Sequence, residues 1–353
     1  MILYDFSSLI HIAIHTSIKQ VNPHKKDGKY ITNEFIPATI FRIVEEVLDN
    51  FRTYKYEYNN LVICLDNHEA PYWRKKLYPP YKEQRKKERE ESEVNFNEVF
   101  KHLDILMKVL NDFTPFKCIS VPGAEADDII GTLTRKFAKS EKILILSPDK
   151  DFKQLHKFGN VKQFSAITNK WIINDEPEEW EKLHICLGDA VDNVPRIVDF
   201  SEFTKEFKDF FKDTELSYYK LSFEKQHEIE SKFKELNPDH EVFKKIRFGK
   251  TNLEKKIKEF GSLDKFINSN DIYRLNFERN KKLVLDSEIP INIEIEILNR
   301  YSDSSTKFDM QKIAKYFSHY EIQTCIQWFE QLSNELSKPT EMNEFNVNFN
   351  KIF

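Results

Sequence analysis

Residues 123–128 read Gly-Ala-Glu-Ala-Asp-Asp, which sets three carboxylates, Glu125, Asp127 and Asp128, within four positions. Like charges a few Å apart repel by roughly 4 kcal/mol per pair at an effective dielectric near 20, so such a group invites a cation. A single acid there would be explained by the helix macrodipole alone. Further acids stand at Asp5, Asp66, Asp149, Asp151, Asp189 and Asp192, each at the end of an apolar run or in a tight turn. No His or Cys falls at ligand spacing among them, and an oxygen-only donor set suits Mg²⁺ or Mn²⁺ rather than zinc. A divalent ion held by such a set lowers the pKa of a bound water and so supports hydrolysis.

Each acid needs an element to deliver it. Residues 2–6 read as a buried strand with Asp5 near its tip, and residues 61–65 as a second strand with Asp66 at its tip. In open parallel α/β sheets, sites assemble at the C-terminal ends of the strands. Taken singly, either aspartate is explained by turn formation or helix capping. Residues 116–121 form a strand-like run that leads to the acidic segment, read as the first turn of a helix. In that helix Ala126, Ile129, Ile130, Leu133 and Phe137 share one apolar side, and the three acids point away from it. A strand over 142–146 runs into Ser147-Pro148-Asp149-Lys150-Asp151-Phe152. Short strands over 161–164 and 170–173 and a helix near 177–187 lead to Gly188-Asp189 and Asp192-Asn193-Val194-Pro195, where Asp189 and Asp192 face one way on a turn.

A chain of 353 residues, 40 % hydrophobic and holding 30 Phe and 14 Tyr, has ample material for a folded core. The net charge of −4 masks a mixture of basic and acidic patches, so the total neither supports nor excludes nucleic acid and the distribution must decide. Only seven glycines disfavour a glycine-rich nucleotide fold. Cys64, Cys118, Cys186 and Cys325 are widely spaced with no CxxC pair, as expected of free thiols in a reducing cytoplasm. The N-terminus is neither signal peptide nor membrane span, and no apolar stretch approaches ~20 residues.

Residues 71–91 are basic with interleaved aromatics. Arg74, Lys75, Lys76, Lys82, Arg85, Lys86, Lys87 and Arg89 carry charge, while Tyr72, Trp73, Tyr78 and Tyr81 can stack on bases or pack beneath phosphates. The commoner fate of such a run is a solvated helix, and Pro79-Pro80 argues against one continuous helix. Residues 94–110 form an amphipathic helix. Beyond about residue 196 the chain reads as helical. There Gly249, Lys250 and Thr251 open a helix whose N–H groups can face a phosphate, although an ordinary helix–turn–helix joint fits them equally. A helix over 310–332 offers Ile313, Tyr316, Phe317, Ile322, Ile326, Phe329 and Leu332 to a core. Residues 22–30 read as a loop, and 336–353 as a flexible polar tail with an apolar tip.

Four motifs together resemble the structure-specific 5′ nucleases: flap endonucleases, the 5′-exonuclease domain of bacterial DNA polymerase I, and phage 5′ nucleases, including the T-even ribonuclease H branch. These are Leu65-Asp66-Asn67 with Tyr72-Trp73-Arg74 and Tyr81-Lys82; Glu125-Ala126-Asp127-Asp128; the run from Ser147 through Asp149 and Asp151 to Leu155; and Gly188-Asp189 with Asp192-Asn193-Val194-Pro195. Their order and spacing agree over roughly residues 1–300.

The resemblance implies an α/β, PIN-like domain over 1–190 with a mostly parallel sheet and a helical arch at about 71–110. It further implies a helical module over 191–335 with a helix–hairpin–helix near 246–265 that grips duplex DNA. By position, Asp5, Asp66, Glu125, Asp127, Asp128 and Asp149 would hold or surround a first Mg²⁺ or Mn²⁺, with Asp149 central to catalysis. Asp151, Asp189 and Asp192 would serve a second ion, and K⁺ would sit at the hairpin. Lys82 and Arg85 would act on the scissile phosphate. Arg74, Tyr81, Lys82, Arg85, Lys86, Gly249, Lys250 and Thr251 would bind DNA. The implied activity is that of a 5′-3′ exonuclease and flap endonuclease, a monomer acting on RNA/DNA hybrid, 5′ flap or fork, and removing RNA primers in phage replication. A single-strand-binding protein or sliding clamp would dock on Phe349, Ile352 and Phe353. The chain departs from the family where Arg196 replaces the usual glycine after Asp-Asn-Val-Pro and residues 197–248 intervene before Gly249.

Other classes share parts of the pattern. A PIN-type single-strand ribonuclease shares the acids without the arch and C-terminal module. A haloacid-dehalogenase-type phosphatase needs a second Asp where Ser7 stands. A non-catalytic branched-DNA-binding protein would keep the basic patches without converging acids.

Overall fold

The computed structural model describes residues 1–67, 69–198, 202–244, 247–303 and 308–337. Its centre is a six-stranded sheet. The strands are β1 (Ile2–Asp5), β4 (Leu61–Leu65), β5 (Lys117–Ser120), β6 (Ile143–Leu146), β7 (Val161–Ser165) and β8 (Lys170–Ile172), in spatial order β5-β4-β1-β6-β7-β8. All neighbours pair in parallel except β7 with β8, which are antiparallel. Strands β2 (Lys25–Lys26) and β3 (Lys29–Tyr30) form a separate two-residue-turn hairpin where a loop was expected. Asp27 and Gly28 both adopt positive φ there, as the Asp-Gly turn of a short hairpin requires.

Side-chain alternation sends the two sets of strand residues to opposite faces. Ile2, Tyr4, Ile63, Leu144 and Leu146 join helices Phe6–Val21, Thr32–Tyr54 and Phe96–Phe113 in one core. Leu3, Val62, Cys64, Ile143 and Ile145 join helices Ala126–Phe137 and Ile291–Ser302 in the other. Both faces are thus covered, as all-parallel strands need.

The chain starts on central β1, fills one side with β4 and β5, then crosses to β6 on the other side. The register pairs Asp5 with Cys64 and Tyr4 with Leu146, so Asp5, Asp66 and Ser147 end side by side where the winding reverses. This is the crevice at which ligands bind in open α/β sheets.

The C-terminal helices do not form one unit over 191–335. Ile313, Phe317, Ile326 and Phe329 lie in the first core beside the sheet, and Ile293 and Ile297 in the second. The reason is apolar periodicity: each of these helices has a stripe that only the sheet layers can bury. The expected single helix over 310–332 is two, Met310–His319 and Gln323–Ser337, broken where Glu321 takes a positive φ. The two pack against each other and bury both stripes. A separate core joins Cys186, Ile197 and Val198 to Phe248, Leu253, Phe266 and Ile267.

Between Val198 and Phe248 lies an inserted segment with its own aromatic core of Phe203, Phe207, Tyr218, Phe233 and Val242. Its ends meet: Thr204 N–H donates to Val242 O at 3.1 Å and Lys244 N–H to Glu202 O at 3.0 Å. The insertion therefore leaves and rejoins the chain at one place, and Ile197 packs with Phe248 as though the two were consecutive. The tail beyond Ser337, with Phe349, Ile352 and Phe353, lies outside the described residues.

Gly188 ends helix Pro177–Leu187 with φ 62°, and a Cβ there would lie 2.3 Å from Val194 O. Gly188→Ala should lower stability by about 2 kcal/mol or more, because both the backbone and the contact resist it. Thermal or urea unfolding checks this, and an unchanged midpoint would contradict the close approach.

Candidate functional site

Asp5 is buried at the end of β1 and caps the following helix, accepting from Ser7 N–H at 3.1 Å. Its Oδ2 accepts from Ser147 Oγ at 2.6 Å. Asp66 is held from two sides: Oδ2 accepts from Ser7 Oγ at 2.8 Å and Oδ1 from Ala126 N–H at 2.9 Å. Asp149 accepts from Asp151 N–H at 2.9 Å, and its own N–H donates to Ser147 Oγ at 3.1 Å. Asp5, Asp66, Asp127 and Asp149 line one open cleft together with Ser7, Lys82 and Arg85. Asp127 also borders a second recess with Asp151, Asp189 and Asp192. Seven of the acids singled out in the sequence therefore converge around Asp127.

Glu125 and Asp128 do not open onto the cleft as the sequence suggested. Arg74 Nη1 lies 3.0 Å from Glu125 Oε2 and 2.7 Å from Asp128 Oδ1. Lys82 Nζ donates to Glu125 Oε1 at 2.5 Å, and Tyr81 OH donates to Oε2 at 3.1 Å. Asp128 Oδ2 accepts from Trp73 Nε1 at 3.1 Å and from Glu125 N–H at 2.9 Å. Both carboxylates are buried, and each accepts three hydrogen bonds from the protein's own donors, including the Arg74 guanidinium, which already supplies the positive charge a cation would bring.

The same contacts correct the DNA-binding set. Arg74 is only 4 % exposed and its Nε donates to Leu283 O, so it is an internal counter-ion and not a phosphate contact. Tyr81 is 3 % exposed and offers no ring face to a base. Trp73 packs under the Arg74 guanidinium at 4.5 Å.

Lys82, in left-handed conformation with φ 52°, reaches the cleft floor. Arg85 is partly exposed and bonds Asp192 Oδ1 through Nη2 at 2.5 Å. An open groove continues past Lys75, Lys82, Arg85 and Arg89. Pro79-Pro80 separates helices Trp73–Leu77 and Glu83–Glu91, as their ring geometry requires. The Lys86 side chain lies outside the described residues. Gly249 caps helix Lys250–Phe260, and Gly249 and Lys250 border the same groove as the Gly188–Arg196 turn. Lys250 and Thr251 are exposed.

Burial pushes the Asp5 carboxyl up to about 6; the Ser147 hydroxyl opposes this and the Asp66 and Asp149 charges add to it. Burial also raises Asp127, against Lys82 and with Asp149 and Asp5, and raises Asp149 with Asp151. Burial would raise Glu125 too, but Lys82 and Arg74 outweigh it and hold that carboxyl below its ordinary value. Among the described residues, no Lys or Arg nitrogen lies within 4 Å of a carboxylate of Asp5, Asp66, Asp127 or Asp149. Four crowded carboxylates, none directly ion-paired and all offering oxygen donors, fit a hard divalent cation.

Two features escaped sequence reasoning. Ser7 and Ser147 orient Asp66 and Asp5, and serines directly after strand tips are the signal that could have revealed them. His184 Nε2 lies 3.3 Å from Asp151 Oδ1, and Asp151, His184 and Asp189 bring ligand atoms within 4.8 Å of one another. Residue separation hid His184, because helix Pro177–Leu187 folds back against the Lys150–Lys157 turn.

The sequence profile of the 5′-3′ exonuclease N-terminal, resolvase-like domain matches residues 1–182. The chain belongs to this family. Ribonuclease H of Enterobacteria phage T4 is 38 % identical over 149 residues, covering 41 % of this chain and 49 % of that protein. A 5′-3′ exonuclease of Buchnera aphidicola (subsp. Acyrthosiphon pisum) is 33 % identical over 163 residues, covering 43 % and 53 %. The chain thus matches about half the length of these relatives. The structure of T5 5′-exonuclease with divalent metal ions (zinc) bound shares the fold, with TM-score 0.51 and 14 % identity over 91 % of this chain and 97 % of that one. Among the described residues, no helix is long and apolar enough to cross a membrane.

A carboxyl whose folded value is raised stabilises the fold while protonated, fully below its unfolded value near 4, and this contribution is lost as pH rises through about 6 for Asp5. Divalent ions should therefore raise the melting temperature more at pH 7.5 than at pH 5. Melting curves in EDTA and in Mn²⁺ at the two pH values check this, and equal shifts at both would contradict it.

Proposed function

We propose that this chain is a divalent-metal-dependent 5′-3′ exonuclease and flap endonuclease, hydrolysing phosphodiesters at the 5′ end of RNA or DNA strands on duplex DNA. The observation that supports it most is the meeting of Asp5, Asp66, Asp127 and Asp149 in one cleft with no Lys or Arg paired directly to them, flanked by a basic groove. Mg²⁺, replaceable by Mn²⁺, fits that donor set, with Asp5, Asp66, Asp127 and Asp149 as its holders. When bound, such ions activate water and neutralise charge on a phosphate.

The chain's own residues supply the rest. Ser7 and Ser147 keep the Asp66 and Asp5 carboxylates turned inward. Lys82, fixed at the cleft floor by Glu125, presents a charge that a phosphate oxygen can share, and Arg85 presents a second at the rim. Both would stabilise negative charge that grows in the transition state. Lys75, Arg85 and Arg89 line the path of a single strand by charge rather than by base readout. The exposed start of helix Lys250–Phe260 lies beside the Asp189 turn, where its N–H groups suit a duplex phosphate. Products carrying 5′-phosphate and 3′-hydroxyl ends, and a role in removing RNA primers during phage replication, follow from this reading. The basic groove and the exposed start of helix Lys250–Phe260 favour it over a single-strand ribonuclease, which needs no grip on a duplex.

A labelled 5′-flap substrate should be cleaved with Mg²⁺ and not with EDTA, and faster than single-stranded RNA. Asp149→Asn should nearly abolish cleavage while leaving the melting curve intact, and full activity in that variant would refute the assignment. Lys82→Ala should lower the cleavage rate about 10²–10³-fold with a much smaller change in flap affinity. An effect confined to affinity would remove its role at the reacting phosphate.

A further inference from the structure

Asp151 and Asp189, which line the second recess, also meet a histidine. His184 is 8 % exposed, and its ring is fixed by stacking on Trp180 at 4.6 Å. Its Nε2 and Asp151 Oδ1 face each other at 3.3 Å, yet both are buried atoms without a hydrogen-bond partner. Leaving two such atoms unsatisfied costs about 1–3 kcal/mol each, which evolution tolerates where a ligand completes them. Asp189 completes the group: its Oδ1 is tied to Val191 N–H at 2.8 Å, and its Oδ2 pairs with Lys150 Nζ at 2.9 Å. The Lys150 side chain is 56 % exposed, and a cation bound here would take its place at Asp189 Oδ2.

We propose that His184 Nε2, with the Asp151 and Asp189 carboxylates, forms a mixed nitrogen–oxygen site that binds a divalent transition-metal ion such as Mn²⁺ in preference to Mg²⁺. Neighbouring ligands on a six-coordinate ion with bonds of about 2.2 Å stand about 3.1 Å apart, close to the 3.3 Å separation found here. An imidazole donor favours first-row transition metals, whereas Mg²⁺ prefers oxygen alone. The two ligand groups then have different tastes: an oxygen-only cleft at Asp5, Asp66, Asp127 and Asp149, and a nitrogen-bearing set at Asp151, His184 and Asp189. This rests on the metal-dependent reading above only in taking the two recesses as neighbouring parts of one site.

Pulsed EPR of the full chain loaded with Mn²⁺ alone tests it. The wild-type protein should show the ¹⁴N modulation of a directly bound imidazole. His184→Gln should lose that modulation and bind Mn²⁺ at this recess at least about tenfold more weakly. Asp149→Asn, which alters the other cleft, should keep the nitrogen signal although it loses flap cleavage, so the two proposals fail separately. Manganese bound at both recesses of the wild type without nitrogen modulation would overturn the assignment, whatever the folding of the variant. An unchanged signal in a folded His184→Gln protein would do the same.

Discussion

Electrostatic crowding at the tips of β1, β4 and β6 is the constraint around which the molecule is arranged. Each pair of charged carboxylates a few Å apart costs roughly 4 kcal/mol at an effective dielectric near 20. The fold answers this in two ways. Glu125 and Asp128 receive internal counter-ions, Arg74 and Lys82, with Tyr81 and Trp73 completing their hydrogen bonds. Asp5, Asp66 and Asp149 receive only hydroxyl and amide donors, which orient them without neutralising them, and Asp127 stands among them in the same cleft. The first pair stiffens the base of the arch, and the second set retains an unmet demand for positive charge.

The rest of the architecture serves that division. The winding reversal beside β1 collects the acids, and the buried Arg74 ties the arch to helix Ala126–Phe137 and to Leu283 across the molecule. The turn from Gly188 to Pro195 carries Asp189 and Asp192 to the second recess, while the Asp192 backbone accepts from Lys82 N–H at 3.0 Å. Arch and turn are therefore anchored to each other. The insertion between Val198 and Phe248 has paired ends and an aromatic core of its own, and it meets the arch where Phe223 packs edge-on against Tyr78 at 5.9 Å.

Much of this was legible in the sequence. The strands ending at Asp5 and Asp66, and the one preceding Asp149, follow from short apolar runs. The break in the arch follows from Pro79-Pro80, whose effect on a helix is local. What could not be read depends on partners distant in the chain. Nothing near Arg74 or Tyr81 reveals that Glu125 and Asp128 will claim them, so the interleaved basic and aromatic run reads as a solvated helix or a nucleic-acid surface and not as buried counter-ions. His184 escaped for the same reason, since its neighbours Asp151 and Asp189 are brought to it by tertiary packing. The hairpin at Asp27-Gly28, by contrast, carried its own turn signal.

Anomalous scattering from crystals soaked in Mn²⁺ puts the electrostatic reading to its most direct test. A strong peak should lie among Asp5, Asp66, Asp127 and Asp149, with none between Glu125 and Asp128. Manganese found only on the outer surface, or held by Glu125 and Asp128 in place of Arg74, would contradict it.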